Sequence, residues 1–173
     1  MCIRDRVVDE DEIVEQVVVS GIAYSRDEAK ITLQGVMDKP GVAAGIFGPL
    51  AEANINVDMI VQNVSVEQGR TDMTFTVTES DLNAAVKVLE SKRDELDYQR
   101  LLSDPDVVKV SVIGVGMRSH AGVAQSMFTA LAEKGINIQV ISTSEIKVSV
   151  LIGEEYTELA LRALHSAYGL DAV

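Results

Sequence analysis

The 173-residue sequence lacks tryptophan, has three prolines and carries a single cysteine, Cys2. One cysteine cannot form an internal disulfide framework, and it cannot supply the several thiolates of a structural zinc site. No apolar run reaches the roughly 18 residues that a membrane-spanning helix needs, and no secretory signal pattern is present. These absences predict a cytoplasmic protein that has no disulfide and does not bind a membrane.

Basic residues are scarce, since 15 Lys and Arg stand against 27 Asp and Glu and give a net charge of −12. Proteins that bind nucleic acids or anionic membranes neutralise phosphates with clustered Lys and Arg. The charge therefore argues against both kinds of partner. At 47% hydrophobic residues the chain still has enough apolar material for a globular core, and its length predicts one domain or two small ones.

Motifs for catalysis and for metal binding are also missing. Gly45 and Gly48 are not followed by the lysine of a phosphate-binding loop, G-x-x-x-x-G-K-[ST]. His120 and His165 have no cysteine or acid at the spacing of metal ligands, and no Ser-His-acid or Cys-His set can be nominated. We expect no catalytic residue, no metal and no cofactor in this chain.

The N-terminal segment fits none of the patterns that follow it. We interpret residues 1–6, MCIRDR, as a non-native start, and residues 1–16 as an acidic lead-in because they contain the solvated run DEDE at 9–12. Residues 9–16 lead into the first strand without a clean start, which indicates truncation from a longer protein.

The chain repeats one unit of about 80 residues. LAEANIN at 50–56 returns as LAEKGIN at 131–137, and a strand precedes each copy, KITLQGV at 30–36 and KVSVIGV at 109–115. A helix follows each strand, with apolar residues four apart. These helical positions are Val42, Ile46 and Leu50 in the first copy and Val123, Met127 and Leu131 in the second.

Each copy then changes to the two-residue period of strands and back to a helix. In the first copy the predicted positions of the two strands are Val57, Met59 and Val61, and Met73, Phe75 and Val77. In the second copy they are Ile138, Val140 and Ser142, and Ile146, Val148, Val150 and Ile152. The predicted helix positions are Leu82, Ala85, Val86 and Leu89, after a possible cap at Ser80, and Tyr156, Leu159, Ala160, Ala163 and Leu164.

A β-α-β-β-α unit needs one more strand to complete the ferredoxin-like plan. Residues 98–102 supply it for the first copy, whereas the second copy ends at Val173. We therefore expect residues 17–23 to cross over and complete the second sheet. The predicted fold is α+β, with two ferredoxin-like βαββαβ units and antiparallel sheets. The first unit, 26–103, is inserted within the second, 17–25 plus 104–173.

The stretch DKPGVAA, residues 38–44, here called the helix mouth, is chemically compatible with a bound amino acid. A helix N-terminus presents unpaired N–H groups and about half a positive charge, which favours a carboxylate. Gly41 allows close approach to the backbone, while Asp38 and the Gln62 carbonyl can accept hydrogen bonds from an α-ammonium. The small side chains of Ala43 and Ala44 leave room. Alternatively, Asp38 is a simple N-cap, and Asn56 and Asn137 are turn residues.

Four motifs, in this order and spacing, resemble the regulatory region of aspartokinases, a pair of ACT domains. They are DKPGVAA at 38–44, NVDMIVQNVS at 56–65, TDMTFT at 71–76 and STSEI at 142–146. The resemblance runs from about residue 17 to the C-terminus. It implies a domain that binds end-product amino acids, lysine and/or threonine, and inhibits the ATP-dependent phosphorylation of aspartate.

The resemblance also implies the partners and the cofactors. The chain would form a homodimer through its ACT domains and act on an aspartokinase catalytic domain or subunit. ATP and Mg²⁺ would serve only that kinase domain, so we expect no activity from this chain alone. Two other interpretations stay open: an ACT-type assembly module with degenerate pockets, and a regulatory subunit of another amino-acid biosynthetic enzyme.

By the same resemblance, two effector pockets form between chains. The first comprises Asp38, Lys39, Pro40, Gly41, Val42, Ala43, Ala44 and Gln62, closed by Asn137 and Ile138 of a partner chain. The second comprises Val123, Ala124, Ser142, Thr143, Ser144 and Glu145, with Asn56, Val57 and Asp58 contributing across the interface. Glu145 or Asp58 would pair with the ammonium of a lysine effector, although Ser142 and Thr143 can equally be plain strand positions.

Overall fold

The computed structural model describes residues 19–64, 69–115 and 122–171. The strands are β1 (Val19–Ser25), β2 (Ala29–Met37), β3 (Asp58–Val64), β4 (Arg70–Val77), β5 (Arg100–Asp104), β6 (Val107–Gly114), β7 (Val140–Thr143) and β8 (Lys147–Gly153). The helices are α1 (Val42–Glu52), α2 (Leu82–Ser91), α3 (Arg93–Leu96), α4 (Gly122–Glu133) and α5 (Thr157–Ala167), and 3-10 turns at Glu79–Asp81 and Glu154–Tyr156 precede α2 and α5.

The strands form two four-stranded antiparallel sheets, in the orders β3-β4-β2-β5 and β1-β6-β8-β7. Both are the ferredoxin-like arrangement, in which the first and third strands of a unit lie in the centre. The strand β1 pairs with β6, with Ile22 opposite Val112 and Ser25 opposite Lys109. The predicted fold class is therefore confirmed, including the N-terminal strand that completes the second sheet. The exact domain limits stay predictions, and residues 1–18 lie outside the described residues.

The first unit, built on the sheet β3-β4-β2-β5, has its core between β2, β4 and the helices α1 and α2. Alternate residues of a strand point to opposite faces, so one face of the sheet is apolar. The largest fully buried side chains here are Ile31, Leu33, Met73 and Phe75 of the strands and Ile46, Leu50 and Leu89 of the helices. The helix α1 continues past Pro49 to Glu52, and the N–H of Ala53 donates to the Pro49 carbonyl at 3.1 Å.

The second unit, built on β1-β6-β8-β7, repeats this packing. Val123, Met127 and Leu131 of α4 are all buried, as their spacing predicts. Along α5 the prediction is partly wrong, because Tyr156 and Leu159 are 36% and 41% exposed. Their place towards the core is taken by Thr157, whose hydroxyl donates to the Glu154 carbonyl at 2.6 Å within the preceding 3-10 turn.

The predicted cap at Ser80 is also wrong. Ser80 lies inside the 3-10 turn, and the residue before α2 is Asp81. Asp81 makes no capping hydrogen bond, and its carboxylate instead accepts a hydrogen bond from the Thr78 hydroxyl at 2.8 Å. The extra turn shifts the start of the helix by one residue.

The two units pack through the sheet faces that lie away from their helices. The buried residues at this contact, here called the inter-unit cluster, are Met59, Val107, Val140 and Leu151. No helix among the described residues is long and apolar enough to cross a membrane.

Candidate functional site

The helix mouth begins with a glycine that leaves the N-terminus of α1 open. Gly41 is the N-cap residue, with φ of +91°, and no side chain caps the helix. Asp38 is therefore not the cap, and the capping alternative is wrong. The N–H of Gly45 makes the first i→i−4 bond, to the Gly41 carbonyl at 2.9 Å. The amides of Ala43 and Ala44 precede it, so the regular pattern of the helix gives them no partner.

The space in front of this N-terminus is open. A Cβ atom built on Gly41 would meet no other atom within 4 Å. Asp38, Lys39 and Pro40 are exposed, as are Ala43 and Ala44, whereas Val42 is half-buried. A small anion can reach the amides of the first turn without displacing any side chain.

The strand that leads into the helix mouth is held by a network that sequence reasoning missed. Gly35 forms a β-bulge with φ of +64°, and its N–H donates to Oδ1 of Asp72 at 2.7 Å. Arg70 donates through Nη1 to the carbonyls of Gly35, at 2.6 Å, and Asp97, at 2.9 Å. The glycine inside a predicted strand was the available signal, since such a glycine often marks a bulge.

The loop after this bulge is tied to the β3–β4 turn. The N–H of Asp38 donates to the Gly69 carbonyl at 2.9 Å. Gln62, the other predicted partner of an α-ammonium, lies exposed on β3 opposite Met73 of β4. Asp38 thus lies beside the first residue of β4 and Gln62 is opposite its fourth, and both side chains are exposed.

The predicted second pocket lies around β7 and the turn that follows it. Ser142 and Thr143 are exposed on this edge strand, and Ser142 is opposite Ser149. The Ser144 N–H donates to the Lys147 carbonyl at 2.8 Å and makes a tight turn that leaves Glu145 exposed. These four residues are together in space as well as in sequence.

The start of α4 contributes less side-chain surface to that pocket than the prediction requires. Val123 is only 9% exposed and belongs to the core of the second unit, while Ala124 is half-buried. The Tyr168 hydroxyl donates to the Val123 carbonyl at 2.6 Å and fixes the first turn of α4. Burial raises the pKa of Tyr168 to about 12.

Asp58 is already paired within its own chain. Its Oδ2 accepts a hydrogen bond from Nζ of Lys109 at 2.7 Å, and its Oδ1 accepts one from the Met59 amide at 2.8 Å. The bond from Lys109 lowers the pKa of Asp58. Beside it Asn56 is exposed and Val57 is half-buried. The contact between Asp58 and Lys109 was not predicted from the sequence.

A cleft of about 370 Å³ lies between the two units. Thr32, Asn63, Asp72 and Thr74 of the first sheet line one side, and the other is lined by residues 138–141. Ile138 lies at the edge of this cleft and packs against the core of its own unit, while Asn137 beside it is exposed. The predicted role of both residues, in closing the pocket of a partner chain, stays a prediction.

A sequence profile, curated relatives and solved structures all show similarity to this chain. A sequence profile of the ACT domain matches residues 30–92 and 110–168. The aspartate kinase of Pseudomonas fluorescens (strain SBW25) is 58% identical over 165 residues, which are 95% of this chain and 40% of that protein. An aspartokinase of Helicobacter pylori (strain ATCC 700392 / 26695) is 49% identical over 163 residues, 92% of this chain and 39% of that protein.

Two solved chains match over nearly all of their length. The crystal structure of aspartokinase alpha and beta subunits contains a chain 52% identical, with a TM-score of 0.82, that covers 87% of this chain and is itself 99% covered. The ligand-free regulatory subunit of aspartate kinase from Thermus thermophilus is 44% identical, with a TM-score of 0.81 and coverages of 87% and 98%. The chain thus spans about 40% of the two curated relatives and nearly all of these solved chains.

Proposed function

The chain belongs to the aspartokinase family as its regulatory part, a pair of ACT domains, and from this premise we propose that it binds an amino-acid effector and controls the kinase reaction. The proposed effectors are lysine and/or threonine, and the proposed outcome is feedback inhibition of aspartate phosphorylation. Support for lysine comes from aspartokinase III of Escherichia coli, solved in complex with lysine and aspartate, which is 26% identical with a TM-score of 0.64.

The open N-terminus of α1 carries the proposal. An α-carboxylate fits there because the amides of Ala43 and Ala44 point out of the helix and no side chain caps them. Gly41 leaves the approach clear. An α-ammonium on the same ligand would then meet acceptors, the Asp38 carboxylate on one side and the Gln62 carbonyl on the other.

The helix mouth on one chain is only part of a pocket, because it is open to solvent. We therefore propose that a homodimer completes it, with Asn137 and Ile138 of the partner chain closing the first site. Ile60 on β3 and Ile141 on β7 are 50% and 45% exposed, so these two side chains are accessible to another copy. Binding would then be linked to dimerisation, and both to the state of the catalytic domain.

Isothermal titration of the full chain with lysine, threonine and methionine tests the proposal. We expect saturable binding of lysine, threonine or both. The substitution Asp38→Ala should weaken it about five- to tenfold, because it removes one charged acceptor. The matched control is Glu133→Ala, which removes an exposed acid at the C-terminal end of α4 in the second unit. Flat titrations on a folded dimer would contradict the proposal.

An assembly module is the second candidate function, and the exposed apolar residues of β3 and β7 favour it. In that case a dimer would persist in gel filtration while every amino acid left its thermal stability unchanged. Ligand binding normally raises the melting temperature, because it stabilises only the folded state. The melting temperature with and without each amino acid therefore separates the two functions.

We assign the phosphoryl transfer to a kinase domain that is not among the residues described here. ATP and Mg²⁺ would bind to that domain, and no residue of this chain is assigned to them. A cytoplasmic location stays a prediction.

A further inference from the structure

A lysine of the second unit binds the carboxylate of Asp58, a predicted effector residue of the first unit. Nζ of Lys109, on β6, lies 2.7 Å from Oδ2 of Asp58 at the start of β3 and 2.5 Å from Oε1 of Glu28. The side chain of Glu28 is 8% exposed and that of Lys109 is 18% exposed, whereas Asp58 is 58% exposed. Lys109 is thus held inside by Glu28, and Asp58 approaches it from the surface.

The backbone next to Asp58 is irregular. Met59 has φ of +45°, an uncommon conformation for a residue with a side chain, and the pairing of β3 with β4 shifts between Asp58 and Val61. The second oxygen of Asp58 accepts the Met59 N–H at 2.8 Å, while the Met59 side chain is buried in the inter-unit cluster. Both carboxylate oxygens of Asp58 are therefore engaged.

We propose that Lys109 determines which effectors the Asp58 pocket accepts, because it holds the Asp58 carboxylate with an ammonium group of the chain itself. The inference rests on the proposed function. An effector with a cationic side chain competes with Lys109 for Asp58. A neutral effector with a hydroxyl side chain does not compete, so the pocket as it stands favours the neutral one.

The repeat supplies a matched control for this proposal. Lys30 on β2 has the position in the first unit that Lys109 has in the second, two residues before Thr32 as Lys109 is before Ser111. Lys30 also joins the units, since it donates to the Gln139 side chain and lies 3.7 Å from Oδ2 of Asp104. Neither of these two partners is a predicted effector residue.

The test compares lysine and threonine titrations of the full chain in four forms. They are the wild type, Lys30→Met, the double variant Lys109→Met with Glu28→Gln, and a triple variant that adds Asp58→Asn. The double variant is used because Lys109→Met alone would leave the buried Glu28 carboxylate unpaired. Circular dichroism and a thermal melt confirm that each variant is folded.

In the double variant the affinity for lysine should rise about fivefold, which corresponds to the largest contribution usual for an exposed ion pair. The affinity for threonine should change less than about twofold. Lys30→Met should change neither, and the triple variant should lose the gain. The proposal is overturned if the lysine affinity is unchanged in the folded double variant, or if the gain survives Asp58→Asn. Threonine binding in either case leaves the proposed function intact. Binding of neither amino acid to any form overturns both.

Discussion

Arg70 and Gly35 are joined across the first sheet, where Nη1 of Arg70 donates to the Gly35 carbonyl at 2.6 Å. The same nitrogen donates to the Asp97 carbonyl, and Asp72 accepts the Gly35 N–H, so the bulge is held on both sides. The bulge lies three residues before Asp38. The direction in which the chain enters the helix mouth is therefore set by residues of β4 and of the turn after α3.

Replacing Gly35 with alanine should destabilise the first unit by about 1–3 kcal/mol, because a left-handed conformation is strained for alanine. A Cβ there would also lie 2.6 Å from the Gln99 side chain, which must move. The measurement is the free energy of unfolding in urea. Gly45→Ala in α1 is the control, since its Cβ would meet Leu96 at an ordinary 3.5 Å, and it should stabilise by up to about 1 kcal/mol. Equal effects of the two substitutions would contradict the role given to the bulge.

Arg70→Lys should lower the free energy of unfolding by about 1–3 kcal/mol, since an ammonium group cannot reproduce the geometry of a guanidinium between two carbonyls. It should also weaken binding at the helix mouth, because the loop from Gly35 to Asp38 loses its support. Urea unfolding and effector titration measure the two effects. Arg162→Lys, at an 82% exposed side chain on α5, should leave both unchanged. A loss of stability with full effector affinity would confine Arg70 to folding.

The repeat in the sequence was sufficient for the fold, but not for contacts between its copies. Apolar spacing predicted six of the eight strands, and the plan of the unit led to the other two, β5 and β1. Such patterns report which face of an element is buried, and they carry no information about partners in the other unit. The ion pair of Asp58 joins residues 51 positions apart, and depends on how two sheet faces meet.

Local geometry was the second limit on prediction. The phase of α5 was misjudged because a 3-10 turn precedes the helix and places Thr157 towards the core, where Tyr156 and Leu159 were expected. The same kind of turn moved the start of α2 beyond Ser80. Such turns are frequent at the ends of α-helices, and the spacing of apolar residues does not fix where a helix begins to within one or two residues.

Tyr168→Phe should destabilise the protein by about 1 kcal/mol at pH 8, because the Val123 carbonyl loses its hydrogen bond at 2.6 Å. Burial raises the pKa of Tyr168 from 10.0 to about 12, so the folded state keeps a proton that the unfolded state releases above pH 10. The contribution is therefore complete below pH 10 and is lost as the pH rises towards 12.

Urea unfolding at pH 8, 10 and 11 measures this effect as the difference between the wild type and the variant. The difference in free energy should shrink as the pH rises. Tyr24→Phe, at a side chain that is 53% exposed, should change stability at pH 8 by less than about 0.5 kcal/mol. A wild-type advantage that stays constant from pH 8 to pH 11 would show that the Tyr168 hydroxyl is not protected by folding.

Met59 and Leu151 should show coupled effects on stability, because both side chains belong to the inter-unit cluster although one is from each unit. Each change to alanine should cost about 2–5 kcal/mol, since Met59 is 5% exposed and Leu151 is fully buried. In the double variant the two costs should differ from their sum by about 0.5–3 kcal/mol, as expected for residues in contact. Urea unfolding of the wild type, both single variants and the double variant gives this coupling energy.

The control cycle pairs Leu151→Ala with Met73→Ala, a residue buried in the core of the first unit alone, and should be additive within about 0.5 kcal/mol. Additivity in the first cycle would contradict energetic coupling between Met59 and Leu151 across this contact.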